Sequence, residues 1–152
     1  MTTIYSTNKK QTGLDSADQV MHQIYQTTRA LSKTLNSEIS NHGLYSSEWS
    51  IVKLIHEQGS MAQIALANYL NIEPAAISKA LAKLEKKGIV ARCFGKDKRE
   101  KYIYLTPAVN EEYDTLNAVV SAHRSRALNG LTEKDRQQLI NLLQQIYTNV
   151  FT

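Results

Sequence analysis

Residues 63–99 read QIALANYLNIEPAAISKALAKLEKKGIVARCFGKDKR, and most of the architecture follows from this run. A short apolar-periodic segment opens at Gln63 and stops at Asn71, and a second opens at Pro74, where a proline in the first helical position sacrifices no hydrogen bond. Ala67 is small where two helices must cross closely, and Ile72 and Ile77 plug the crossing from the second side. Asn71 takes the turn, since asparagine tolerates the left-handed conformation better than most residues. The pattern predicts a helix, a tight turn and a helix over 63–86, closed by Gly88 as its C-cap. An ordinary helical hairpin within a bundle has the same local signature.

After Gly88 the period changes. In IVARCF (89–94) Ile89, Ala91 and Cys93 share one face, in KYIYLT (101–106) Ile103 and Leu105 face in opposite them, and GKDKRE (95–100) is rich in turn residues. The expectation is a β-hairpin with a cationic tip, with Cys93 inward as an inert, buried thiol.

Charge is concentrated here. Residues 59–106 hold nine Lys and Arg, namely Lys79, Lys83, Lys86, Lys87, Arg92, Lys96, Lys98, Arg99 and Lys101, against the four acids Glu73, Glu85, Asp97 and Glu100. The remaining residues carry nine bases against ten acids, so the formal net charge of +4 comes entirely from the middle third. The four helical lysines are expected on the outside. A charge run of this kind is either a solvated face or the electrostatic footprint of a polyanion binder.

Outward from this centre the chain reads as helix. Val20, Ile24, Thr27 or Thr28, Leu31, Leu35 and Ile39 recur every three or four positions from Asp15 to Ile39, and the pattern stops at Asn41, His42 and Gly43. SSEW (46–49) resembles an N-cap followed by an early carboxylate, and Ile51, Leu54 and Ile55 form the buried face of a short helix ending at Gly59. Residues 61–70 are expected as a third helix. Pro107 opens a helix through Tyr113, Leu116, Val120 and Leu128, and Thr132, with Glu133 and Asp135 behind it, opens the last one through Leu139, Leu142, Leu143, Ile146 and Val150. The fold class expected is mainly α with a small β-hairpin, and only the first dozen residues look loose.

A chain of 152 residues with one cysteine and no apolar run long enough for a signal peptide or a membrane span is expected to be cytoplasmic, without disulfides or a membrane partner. His22, His42, His56 and His123 show no metal-ligand spacing, and no catalytic triad, paired-carboxylate cleft or Gly-rich phosphate loop stands out. Neither a metal, a cofactor nor an enzyme activity is expected.

The order IALANYLNIEPAAISKALAKLEKKGIVAR, then DKR in the hairpin loop, then YLT at the end of the second strand, resembles the MarR family of bacterial winged-helix transcription regulators, and the resemblance spans the whole chain. It implies a homodimer, with a dimerisation helix within 1–45, a winged helix-turn-helix DNA-binding domain over 46–106 and dimerisation helices over 107–152 that interlock with the first. It also implies a pseudo-palindromic double-stranded DNA partner and the role of a repressor released by a small aromatic or phenolic ligand. By match to the family's recognition helix, Ala75, Ala76, Ser78, Lys79 and Lys83 point toward the major groove. Arg99 resembles the wing arginine that enters the minor groove, Asp97 holds it in position, and Lys96 and Lys98 resemble phosphate contacts. Arg92 is either a contact or a packing partner of the wing. Where the family has Gly shortly after LTP this chain has Val109, which leaves the start of the next helix open. For the ligand, the resemblance points to His22, Tyr25 and Arg29 with His42, Tyr45 and Trp49, rings with polar tips beside one guanidinium that suit an aromatic acid or simply cement a domain junction. The competing class is a winged helix that binds an acidic protein partner through its basic face.

Overall fold

The computed structural model describes residues 15–96 and 99–152; residues 1–14, which include the dozen expected to be loose, lie outside the described residues, as do Asp97 and Lys98. Helix α1 (Ser16–Ile39) begins where the Asp15 carboxylate accepts from Asp18 N at 2.9 Å, satisfying one of the donors that a first turn leaves unpaired. A single 3-10 turn (Ser40–His42) and Gly43 at φ 78° redirect the chain into α2 (Ser46–Gln58). The entry to α2 is held by carboxyl and carboxamide oxygens rather than by a serine hydroxyl. Glu48 Oε1 accepts from Tyr45 N at 3.0 Å and Asn36 Oδ1, on α1, accepts from Ser46 N at 2.6 Å.

Met61 and Ala62 depart from the expected third helix. They form β1, antiparallel to β3 (Lys101–Leu105), and helix α3 starts at Gln63 and ends at Leu70. With β2 (Val90–Phe94) on the other edge of β3, the sheet has three strands in the order β1-β3-β2, where a two-stranded hairpin was expected. A strand two residues long leaves no alternation for a sequence reading to detect.

The face of β2 is also one residue away from the expectation. Val90 pairs with Leu105 and Arg92 with Ile103, so these side chains share the inward face, while Cys93 pairs with Tyr102 on the opposite face and is exposed. Cys93 is therefore not a core thiol. The slip has a physical cause. Arg92, polar and so expected outward, finds an acid and a carbonyl on the inner side, and Val90 takes the apolar position that Ala91 was expected to hold.

Helix α4 (Pro74–Lys86) closes with Lys87 and then Gly88 at φ 74°, where Ile89 N returns to Leu84 O at 3.0 Å. α5 (Pro107–Ala127) starts at Pro107 with Val109 buried in its first turn, and α6 (Glu133–Val150) is capped by Thr132 and Asp135, each accepting from the other's backbone N–H. Trp49, Ile51 and Val52 of α2, Ile77, Leu81 and Leu84 of α4, and Val90 and Ile103 of the sheet form one core that α5 covers with Tyr113, Leu116 and Val120. Burial of each such aliphatic side chain contributes about 1.5–3 kcal/mol. α1 and α5 are joined at Thr34, whose hydroxyl lies 2.8 Å from both Ala30 O and His123 Nε2. α6 contributes no buried residue.

Candidate nucleic-acid interface

The turn between α3 and α4 places the second helix. Asn71 adopts φ 53° and ψ 47°, and the next amide, Ile72 N, bonds Ala67 O at 3.0 Å, so α3 ends sharply and α4 leaves at a fixed angle. Ile77, one turn into α4, is buried beneath this crossing, and Ile72 packs beside it half-buried. The opposite side of α4 is exposed at Ala75, Ala76, Lys79 and Lys83, with Ser78 half-buried at its edge. Two small residues followed by two cations at helical spacing give a face that admits close approach of a groove and carries donors for phosphate or guanine.

The wing stands beside it. Gly95 N donates to Glu100 O at 3.0 Å and closes the loop, and a Cβ at Gly95 would lie 2.7 Å from the Tyr102 ring, so any other residue there would require the ring to shift. Tyr102 donates to Glu100 at 2.9 Å, and this bond to a carboxylate raises the phenol above its ordinary value. Lys96, Arg99 and Lys101 are exposed. A cleft of about 450 Å³ runs between the wing and the starts of α3 and α4, lined by Ile64, Pro74 and Ile77 on one side and Arg99 and Lys101 on the other. Recognition helix and wing thus flank one cleft, apolar on the helix bank and carrying Arg99, Glu100 and Lys101 on the wing bank. Asp97 and Lys98 lie outside the described residues.

Two basic residues are turned away from this face. Arg92 Nε lies 3.2 Å from Glu85 Oε2 and Nη2 donates to Ser78 O at 3.3 Å, with the side chain 19% exposed. Its charge ties β2 to α4. Lys87, exposed as expected with Lys79, Lys83 and Lys86, is nevertheless paired: it donates to both oxygens of Glu48 at 2.8 and 2.9 Å, with its ammonium 5.3 Å from the Tyr45 ring centroid. Sequence reading missed this pair, because Glu48 lies 39 residues away and reads as an ordinary first-turn acid.

The six residues considered for a ligand are not brought together within the chain. Trp49 is 1% exposed and stacks on Tyr113 at 5.3 Å; it belongs to the core, and it cannot line an open pocket. The other face of Tyr113 carries His56, parallel at 3.5 Å, a partner that no local pattern signalled; burial first, with Glu57 and Asp114, raises the Tyr113 phenol. His22, Tyr25 and Arg29 are exposed on α1, and a rise of about 1.5 Å per residue puts Tyr25 roughly 20 Å from the end of that helix, where the segment holding His42 and Tyr45 begins. His42 lines a cavity of about 160 Å³ with Leu44, Val109, Glu112 and Leu116, and Tyr45 is exposed over Lys87.

A helix-turn-helix whose second helix exposes Lys79 and Lys83, followed by a β-wing that exposes Lys96, Arg99 and Lys101, defines a winged-helix DNA-binding protein. Residues 44–101 match the MarR family, and an uncharacterized HTH-type transcriptional regulator of Bacillus subtilis, YwoH, is 31% identical over 125 residues, covering 82% of this chain and 91% of that one. The chain belongs to the MarR family and is a DNA-binding transcriptional regulator, not an enzyme. Its fold is shared with a MarR protein from Peptoclostridium difficile (TM-score 0.81, 23% identity, 90% and 89% of the two chains) and with a MarR mutant from E. coli solved in complex with operator DNA (TM-score 0.78, 19% identity, 88% and 99%). Among the described residues no helix is long and apolar enough to cross a membrane.

Proposed function

We propose that the chain acts as a cytoplasmic homodimeric repressor that occupies a pseudo-palindromic operator and is released by a small aromatic or phenolic ligand. The observation that carries the dimer is the surface of the terminal helices. Val20, Tyr25 and Leu31 on α1 and Leu139, Leu142, Leu143 and Val150 on α6 are exposed, and a patch of that extent on two helices is what a second copy covers. A groove of about 680 Å³ between α1 and α5, lined by Leu31, Thr34 and Ala127, offers it a seat.

Each protomer then brings one recognition helix and one wing to half-sites about one helical turn apart, roughly 10 bp. Ala75, Ala76, Ser78, Lys79 and Lys83 serve the major groove, Arg99 serves the minor groove with Asp97 positioning it, and Lys96 and Lys98 serve phosphates. The division into a helix within 1–45, a DNA-binding domain over 46–106 and dimerisation helices over 107–152 is part of this reading. The His42 cavity of one chain, about 160 Å³, is smaller than the roughly 300 Å³ at which ligand pockets begin. A site for an aromatic acid therefore needs the second copy to bring His22, Tyr25 and Arg29 toward it.

The test is a genome-wide footprint followed by sedimentation and salt-titrated binding to the duplex it identifies. A dimer that binds this duplex, loses affinity steeply with salt and ignores a scrambled sequence supports the reading. A monomer at micromolar concentration, or equal binding to both duplexes, overturns it. Titration of salicylate-type acids with and without operator, read through Trp49 fluorescence, tests the effector: equal affinity in both states removes it, since a ligand that does not distinguish two states cannot shift them.

A further inference from the structure

Glu48 is the only carboxylate among the described residues that is fully buried, at 3% exposure, and it sits at the joint between α2 and the recognition helix. Two donors make three hydrogen bonds to it: Tyr45 N at 3.0 Å and the Lys87 ammonium at 2.8 and 2.9 Å from its two oxygens. Lys87 is the residue on which α4 ends, and Gly88 and Ile89, directly after it, accept from the Thr106 hydroxyl ahead of α5. On the other side Ser46 N, two residues before Glu48, donates to Asn36 of α1. A run of directional contacts thus leads from α1 through the first turn of α2 to the end of α4.

The core beneath this joint is apolar. Apolar contacts are non-directional and allow small slides and rotations of one helix on another at little cost. A buried carboxylate that accepts three hydrogen bonds has one acceptable position, because displacement strands a charge away from water. We propose that Glu48 and Lys87 are positioning residues for operator recognition: their ion pair holds the rotation and axial placement of α4 against α1 and α2, and so sets the separation of the two recognition helices in the dimer. Lys87 belongs to the basic cluster in sequence and does not touch DNA. The inference rests on the homodimeric operator reading above.

The experiment uses the full chain, the footprinted operator, and the same operator with one base pair inserted between half-sites, which turns one half-site by about 35° and shifts it by about 3.4 Å. The wild type is expected to lose about tenfold in affinity on the insertion, within the usual range of inter-site coupling. Lys87→Met is expected to bind the native operator about tenfold more weakly, to distinguish the two spacings by no more than about twofold, and to keep the wild-type salt slope. Lys87→Arg, which preserves the pair, keeps both affinity and spacing preference. Glu48→Gln covers the case in which Lys87→Met does not fold: its carbonyl still accepts from Tyr45 N, the charge that holds Lys87 is gone, and the same relaxed spacing is expected. Undiminished spacing preference in the folded variants overturns the proposal, as does a salt slope lower by about one unit in Lys87→Met, which marks a phosphate contact. A wild type that binds no duplex overturns the operator reading itself, and this inference with it.

Discussion

Asn71 is the only non-glycine residue with positive φ among the described residues, and it makes the corner on which the recognition helix turns. The left-handed region costs an ordinary L-residue about 1–2 kcal/mol, and asparagine less, because its short polar side chain is compatible with that geometry. Asn71 is exposed, so its replacement removes no core packing, and the backbone term stands nearly alone. Asn71→Ala is therefore expected to destabilise by about 1 kcal/mol and Asn71→Val, with its branched Cβ, by about 2 kcal/mol. Asn71→Gly relieves the corner but loosens the unfolded chain, and the two effects leave it within about 0.5 kcal/mol of wild type. For a chain of this size these values correspond to melting temperatures lower by roughly 2–4 °C for alanine and 4–8 °C for valine. Thermal unfolding followed by far-UV circular dichroism, at one protein concentration because association shifts the transition, reads the series. Operator affinity follows the same order, since a strained corner re-aims α4. If alanine and valine melt with glycine and asparagine, the corner is not under left-handed constraint, and the account of how α4 is placed is wrong.

Arg92→Met keeps the aliphatic stem under the sheet but releases Glu85 and Ser78; stability should fall by about 1–2 kcal/mol, the sum of one half-exposed ion pair and one hydrogen bond, with the salt slope of DNA binding unchanged. A slope lower by about one unit would make Arg92 a phosphate contact instead. Arg99→Ala should weaken operator binding strongly with little change in melting temperature, and equal affinity for the two proteins would remove the wing from the minor groove. Cys93, exposed on the outer face of β2, should be alkylated by iodoacetamide in the native protein nearly as fast as in urea; slow native labelling would return it to the interior. Asp135 is held below the ordinary carboxylate value by the backbone and hydroxyl of Thr132, so its contribution is complete above that value and is lost as pH falls through the lowered one. Asp135→Asn should accordingly melt below wild type at neutral pH and together with it in strong acid, and a gap that persists in acid would contradict the cap.

Most of the helical architecture was legible because its signals act within a few residues. Pro74 and Pro107 open helices, Gly88 closes one with a left-handed turn, and Thr132 and Asp135 cap another, all through contacts between residues at most five apart. The exposed face of α4 was equally readable, since helical spacing alone puts Ala75, Ala76, Lys79 and Lys83 together. What escaped the sequence involved partners distant along the chain. Met61 and Ala62 are strand rather than helix because β3, some forty residues on, offers an edge to pair with. Arg92 turns inward and sends Cys93 outward because Glu85 and the Ser78 carbonyl wait on the inner side. Trp49, with a ring that suits a pocket wall, is core because Tyr113 of α5 lies over it. Lys87 looks like one more cation in LEKKG until the fold brings a buried carboxylate within 2.8 Å of it. A side chain's type and its place in a helix or strand are local properties, whereas whether a charge faces solvent, DNA or a buried counter-ion depends on what packing brings to its other side, and no pattern along one segment encodes that.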